Sequence, residues 1–224
     1  MSWTPPELTG RDGERFAVRH CWCVGRNYAE HAREMGADPE RSEPIFFSKP
    51  AAAATQAGRV PYPPGTNELH HEVELVALLG AGGAGLDADR AAACIAGWAV
   101  GCDLTRRDVQ ARAKAAGQPW ALAKGFDASA PIGAWIPARD WRPSEASAIE
   151  LRVNDDIRQS GRLGELIWPV LELLARLSQQ VTLHPGDVVF TGTPAGVGPL
   201  AVGDRVVGRI DGLPDLVFEI APPA

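Results

Sequence analysis

Long apolar runs are missing from this chain. No stretch of about 18 uninterrupted apolar residues is present to cross a bilayer, and no basic start leads into the apolar core that a signal peptide needs. A cytoplasmic protein without a membrane partner is expected. Basic clusters are equally scarce: the net charge is -6 and no run of Lys or Arg occurs. Nucleic acid and anionic membranes, which both call for a basic patch, are therefore excluded as partners. Cysteine is sparse as well. Cys21, Cys23, Cys94 and Cys102 sit in apolar runs without C-x-x-C spacing, so buried reduced thiols are expected rather than disulfides or a zinc set. Glycine is plentiful, but the AGGAG of residues 81–85 has neither phosphate-loop nor dinucleotide spacing and reads as a connection.

What is present fits one strand-rich α+β domain. The 224 residues suffice for a single sizeable core, taken as 16–224 after an irregular polar lead-in over 1–15. Strands are expected over Phe16–Val24, Glu43–Pro50, Leu69–Gly80, the run ending at Asp103, and Asp187–Thr191. Hairpins are expected at Asn154–Asp156 and at Asp211–Gly212. Asp87 caps a helix ending at Cys94. Thr105 and Asp108 have the spacing of a capping box for a helix over Arg106–Ala116, which sets Arg106 and Gln110 on one face. Pro169 opens an amphipathic helix.

The segment LHHEVELVALLG is the chemical centre. On a strand Glu72 and Glu74 share a face and Val73 and Leu75 take the other. Two adjacent carboxylates in an apolar run repel unless a cation lies between them. Taken alone, an E-x-E pair reads more readily as the solvated face of an edge strand, and the surrounding residues are what favour a cation site. A third acid, Asp103, closes the next apolar run. Three carboxylates without a Cys or His cluster favour Mg²⁺ or Mn²⁺, although His70 and His71 leave zinc open. Asn27 caps a short helix to Met35, on which His31 and Glu34 lie three apart, the spacing of a histidine oriented by a carboxylate. Lys49 precedes Pro50 and points either inward at an anion or outward to water. Lys124, in PWALAKGFD, is half-buried if that segment is a strand, and Gly192–Leu200 is a small-residue loop whose amides can approach a ligand.

The ordered series VGRNYAEHAREMG, PIFFSKP, HHEVELVALLG, GCDLTRRDVQ, GQPWALAKGFDASAPIG, VNDDIRQSG and LHPGDVVFTGTPAGVGPL resembles the fumarylacetoacetate hydrolase superfamily, in its short acylpyruvate hydrolase and oxaloacetate decarboxylase branch. The resemblance implies a β-rich roll of mixed sheets with a few peripheral helices and a short lid helix, in a homodimer. It implies Glu72, Glu74 and Asp103 as ligands of Mg²⁺ or Mn²⁺, Lys124 beside the metal, and His31 with Glu34 as a catalytic dyad. Arg26, Lys49, Gln110 and Thr193 match substrate-pocket positions. The implied substrate is a small 2-oxo acid. An acylpyruvate such as fumarylpyruvate would be hydrolysed to pyruvate; oxaloacetate decarboxylation, keto-enol tautomerisation, or the isomerase and decarboxylase reactions of aromatic catabolism are the alternatives. One segment departs. Where relatives read Gly-Asn-Thr-Ser-Asp-Met-Ile-Phe, this chain has Gly161-Arg162-Leu163-Gly164-Glu165-Leu166-Ile167-Trp168, which either reshapes the acyl end of the pocket or alters a surface turn.

Overall fold

The run Val73–Leu79 is buried at every position, because in the computed structural model, which describes residues 4–30 and 43–223, both faces of its sheet are covered. Such a strand reads as continuous apolar sequence rather than as an alternation. It lies third in a six-stranded sheet ordered Ile136–Pro137, Ile95–Cys102, Val73–Leu79, Asp187–Phe190, His20–Gly25, Ile45–Lys49. Neighbours pair antiparallel except Asp187–Phe190, which runs parallel to His20–Gly25. Val73, Leu75 and Ala77 join the larger core with Ile149, Leu151, Val206 and Phe218. Val76 and Leu78 join a second core with Cys21, Cys23, Val188 and Phe190.

The first of those cores is closed by a five-stranded sheet ordered Asp156–Arg162, Ala148–Val153, Arg205–Ile210, Leu216–Ala221, Arg59–Pro61. Asn154 and Asp155 turn its first hairpin at positive φ (52° and 71°), the backbone that Asn and Asp tolerate best. The helices Ala88–Cys94 and Val170–Gln180 pack at the periphery, the first capped by Asp87, whose carboxylate accepts from the Arg90 amide at 2.9 Å. The strand-rich α+β architecture expected from the sequence is thus observed. Among the described residues no helix is long and apolar enough to cross a membrane.

Three expectations change. The lead-in is not irregular: Glu7–Thr9 pairs with Arg15–Ala17 and sends Leu8, 1% exposed, into the second core. Consequently Phe16–Val24 is not one strand. The chain leaves that hairpin at Val18 and Arg19, whose amides donate to Pro6 and Gly186, and begins a new strand at His20. Asn27 is a buried tie rather than a helix cap. Its amide donates to the Trp168 and Thr191 carbonyls at 3.0 and 2.7 Å and accepts from the Trp168 N–H at 2.8 Å.

All four cysteines are free and buried. Burial pushes the Cys21 thiol up to about 12 and raises Cys23 and Cys102 as well. Since the thiolate is the reactive form, an aromatic disulfide reagent at mildly alkaline pH is expected to label no thiol of the native protein. It should label all four cysteines after unfolding. Rapid native labelling would contradict this packing.

Candidate active site

Sheet register brings the three acids together. Glu72 occupies the gap between the Leu69–His71 and Val73–Leu79 strands, and Asp103 directly follows Ile95–Cys102. Because Val73 pairs with Cys102 and Glu74 with Gly101, Asp103 falls beside Glu72, whose carbonyl accepts from the Asp103 amide at 2.8 Å. Gly101 is required there, since a Cβ would meet Val76 at 2.5 Å and Phe190 at 2.6 Å. All three side chains are buried, with one carboxylate oxygen from each lying within 4.8 Å of the others.

Such a cluster is costly without cations. Burial, followed by the neighbouring Asp103 and Glu72 carboxylates, pushes Glu74 well above the usual carboxylate range. The Gly192 amide donates to its Oε2 at 2.5 Å. Gly192 has φ 106°, and a Cβ on it would meet Asn27 at 2.7 Å, so glycine is what lets this amide reach the acid. The donor set is all carboxylate and spaced for one divalent ion. Neither histidine joins it: His71 Nδ1 lies 2.9 Å from Gln159 Oε1, His70 Nδ1 accepts from Arg107 Nε at 3.4 Å, and among the described residues only the three acids group closely enough to share an ion.

Lys124 lies among the acids. Its segment is a short helix, Ala121–Lys124, not a strand, and the side chain is fully rather than half buried. Nζ donates to Glu72 Oε2 and Asp103 Oδ2, both at 2.7 Å. Burial alone would lower the amine's pKa; the two carboxylates outweigh it and hold the pKa above its ordinary value.

Lys49 points inward, but not at a ligand. It is 0% exposed, with Nζ 2.8 Å from Asp103 Oδ1, and it donates to the Leu104, Lys124 and Ser129 carbonyls. Its assignment to the substrate pocket is thereby corrected: it underpins Asp103 from behind. The pocket in front of the acids is lined by Arg26, Gln110, Thr193, Lys124, Arg107, Lys114 and Trp120, among others, so Arg26, Gln110 and Thr193 do face it. The Thr193 hydroxyl accepts from Gln159 Nε2 at 2.7 Å. His31 and Glu34 lie outside the described residues.

Sequence reasoning missed Arg107, whose guanidinium donates to Glu72 Oε1 at 2.5 Å and to Gln110 Oε1 at 2.6 Å. The helix begins at Arg107, one residue later than expected, because Thr105 and Arg106 pair with His70 and Leu69. The expected capping box is absent. The Thr105 hydroxyl donates to the Asp103 carbonyl, and Asp108 accepts from the Thr66 hydroxyl and the Val109 amide. Arg106 instead stacks on Phe126, 4.5 Å from its centroid. The signal for the correct face was the i, i+3, i+7 series Arg107, Gln110, Lys114.

A larger cavity, about 710 Å³, lies between the Ala88–Cys94 helix and the start of Val170–Gln180 and is lined by Trp98, Leu163, Leu166 and Val170 among others. It contains none of the three acids. None of residues 161–168 lines the acidic pocket, so the departing segment borders this apolar groove and not the carboxylates.

Fold and site together define an acid-centred member of a known class. The chain belongs to the fumarylacetoacetate hydrolase family: residues 20–221 match the model of the fumarylacetoacetate (FAA) hydrolase C-terminal region. It is similar to the fumarylpyruvate hydrolase from Pseudomonas aeruginosa, whose crystal structure is a complex with Mn²⁺ and pyruvate. The TM-score is 0.96 at 44% identity, covering 99% of this chain and 98% of that one. It is also 44% identical over 200 residues to an oxaloacetate tautomerase of Escherichia coli, covering 88% of this chain and 90% of that protein. The mitochondrial oxaloacetate tautomerase of Mus musculus is 40% identical over 199 residues, covering 88% and 90%.

Proposed function

We propose that the chain is a divalent-metal-dependent enzyme that cleaves a carbon–carbon bond in an acylpyruvate such as fumarylpyruvate, giving pyruvate and a carboxylic acid. The observation that carries this reading is a lysine ammonium set between two of three clustered, buried carboxylates. Glu72, Glu74 and Asp103 would hold Mg²⁺ or Mn²⁺, which when bound supplies Lewis acidity toward a 2-oxo acid. The charge count supports it: the three acids are matched by Lys49, Lys124 and Arg107, so an added divalent ion leaves an excess positive charge suited to an anionic substrate.

The chain's own groups account for the rest. Lys124 places positive charge where the enolate oxygen of the departing pyruvate develops. The Gln110 amide and Thr193 hydroxyl present polar groups to the substrate's oxygens, and Arg107 braces Glu72 and Gln110 in one geometry. His31, oriented by Glu34, takes a proton from water. The water oxygen bonds to the distal acyl carbonyl carbon, and the carbon–carbon bond breaks with its electron pair passing to the pyruvate enolate. The proton then ends on the enolate carbon.

A second reading, oxaloacetate keto-enol tautomerisation or decarboxylation, is favoured by the names of the relatives at 40 to 44% identity. It passes through the same enolate over the same lysine. Assaying pyruvate release from fumarylpyruvate beside enol decay and CO₂ release from oxaloacetate separates the two. Activity is expected to vanish with a chelator and to return with Mn²⁺ or Mg²⁺. If neither acid is turned over by the metal-loaded protein, or if the chelator has no effect, the proposal fails.

A further inference from the structure

The helix Arg107–Ala115 presents Arg107, Gln110 and Lys114 along one face, and all three line the pocket. Arg107 and Gln110 are engaged with Glu72 and with each other. Lys114 has no carboxylate partner among the described residues. Its ammonium lies 5.3 Å from the centroid of the Trp120 ring, at the pocket wall. In the same pocket Arg26 holds a left-handed backbone (φ 61°) that a long side chain rarely adopts. Its Nε is buried and has no acceptor among the described residues. A backbone held in a disfavoured region with a donor left unsatisfied marks a position kept for a ligand more readily than for packing. The two cations also feel each other: burial first, then Arg26 and Arg107, hold the Lys114 amine below its usual range. Like charges converging in one pocket, after the acids have been matched by Lys49, Lys124 and Arg107, need an anion from outside.

We propose that Arg26 and Lys114 form a second anion subsite in the pocket, one that takes the distal carboxylate of a dicarboxylic 2-oxo acid and so selects diacids over acids with a neutral tail. This rests on the reading that the carboxylate cluster receives the 2-oxo acid end. A guanidinium and an ammonium suit that task, since charge-assisted bonds to a carboxylate are the strong ones. Their cost when unmatched in a partly buried pocket penalises a neutral tail.

The test uses two stable acids of equal length, 2-oxoglutarate and 2-oxopentanoate, which differ in a terminal carboxylate against a methyl. Binding to the Mn²⁺-loaded full chain is measured by calorimetry. The wild type is expected to prefer the diacid by roughly tenfold or more, the scale of one charge-assisted contact. Arg26→Met and Lys114→Met should each reduce that preference to about threefold or less while leaving the monoacid affinity within about twofold, and Lys114→Arg should retain the preference. Lys114→Gln, on a half-exposed helix face, gives a second neutral variant should one fold poorly. Equal wild-type affinity for both acids, or variants that weaken both alike, would overturn the subsite while leaving the 2-oxo acid end intact. Binding of neither acid would overturn the underlying reading, and the subsite with it.

Discussion

Lys49→Met is expected to destabilise the protein by roughly 3–5 kcal/mol, the range found when one partner of a buried ion pair is removed. The side chain is 0% exposed and holds four oxygens at once: Asp103 Oδ1 and the carbonyls of Leu104, Lys124 and Ser129. Methionine fills much of the volume and satisfies none of them, so Asp103 Oδ1 loses its counter-charge and the three carbonyls each lose a donor where water cannot replace it. At about 2–4 °C per kcal/mol for a domain of this size, the melting temperature should fall by about 10 °C. Lys49→Arg should not restore it, because a planar guanidinium is larger than the ammonium and cannot present donors tetrahedrally in the same space. The loss should also appear at the site, as weaker Mn²⁺ binding by calorimetry, because the loosened Asp103 is one of the three clustered acids. Urea unfolding within 1 kcal/mol of wild type would show that Lys49 does not underpin the site.

The reach of sequence reasoning follows from how local each signal is. Glu72, Glu74 and Asp103 were legible because each sits in or at the end of a long apolar run, and two such runs pair antiparallel with their acidic ends together. The hairpins were legible because Asn-Asp and Asp-Gly are turn chemistry wherever they occur. Lys49 was not, since its direction is decided by carbonyls at Leu104 and Ser129, 55 and 80 residues away. Arg107 was hidden by one residue of helix boundary: Thr105 looks like a cap but is drawn into a strand pair with His70, and the helical face rotates accordingly. The N-terminal hairpin was missed because its polar strands are short and exposed, and only Leu8 signals the core it enters.

Stability and chemistry divide between the two lysines. Lys49 touches Asp103 from the core side and reaches no pocket surface, whereas Lys124 touches Asp103 and Glu72 and lines the pocket. The carbonyl of Lys124 is one of the acceptors of Lys49, so the buried amine fixes both the acid and the backbone that carries the second amine. Substitutions at the two positions should therefore differ in kind: at Lys49 stability and metal affinity fall together, and at Lys124 turnover falls while metal affinity holds or rises.

Lys124→Met is expected to lower kcat by about 10²–10³, the usual loss when a group stabilising a developing oxyanion is removed. In the metal-loaded protein Mn²⁺ affinity should hold or rise, because an ammonium 2.7 Å from both Glu72 Oε2 and Asp103 Oδ2 competes with a cation for the same carboxylates. Removing it concentrates negative charge on the ligand set and makes the unloaded cluster harder to fold, so the variant's melting temperature should depend on Mn²⁺ more steeply than the wild type's. Lys124→Arg should rescue little, since the larger planar guanidinium replaces a compact ammonium in a buried space and spreads its charge instead of concentrating it at one point. Steady-state kinetics on the better of fumarylpyruvate and oxaloacetate, paired with Mn²⁺ calorimetry, gives the decisive split. A large kcat loss with unchanged or tighter metal binding places Lys124 in the chemistry. A parallel loss of metal binding would instead make it a structural brace for Glu72 and Asp103, and the oxygen of the developing enolate would need another partner in the pocket.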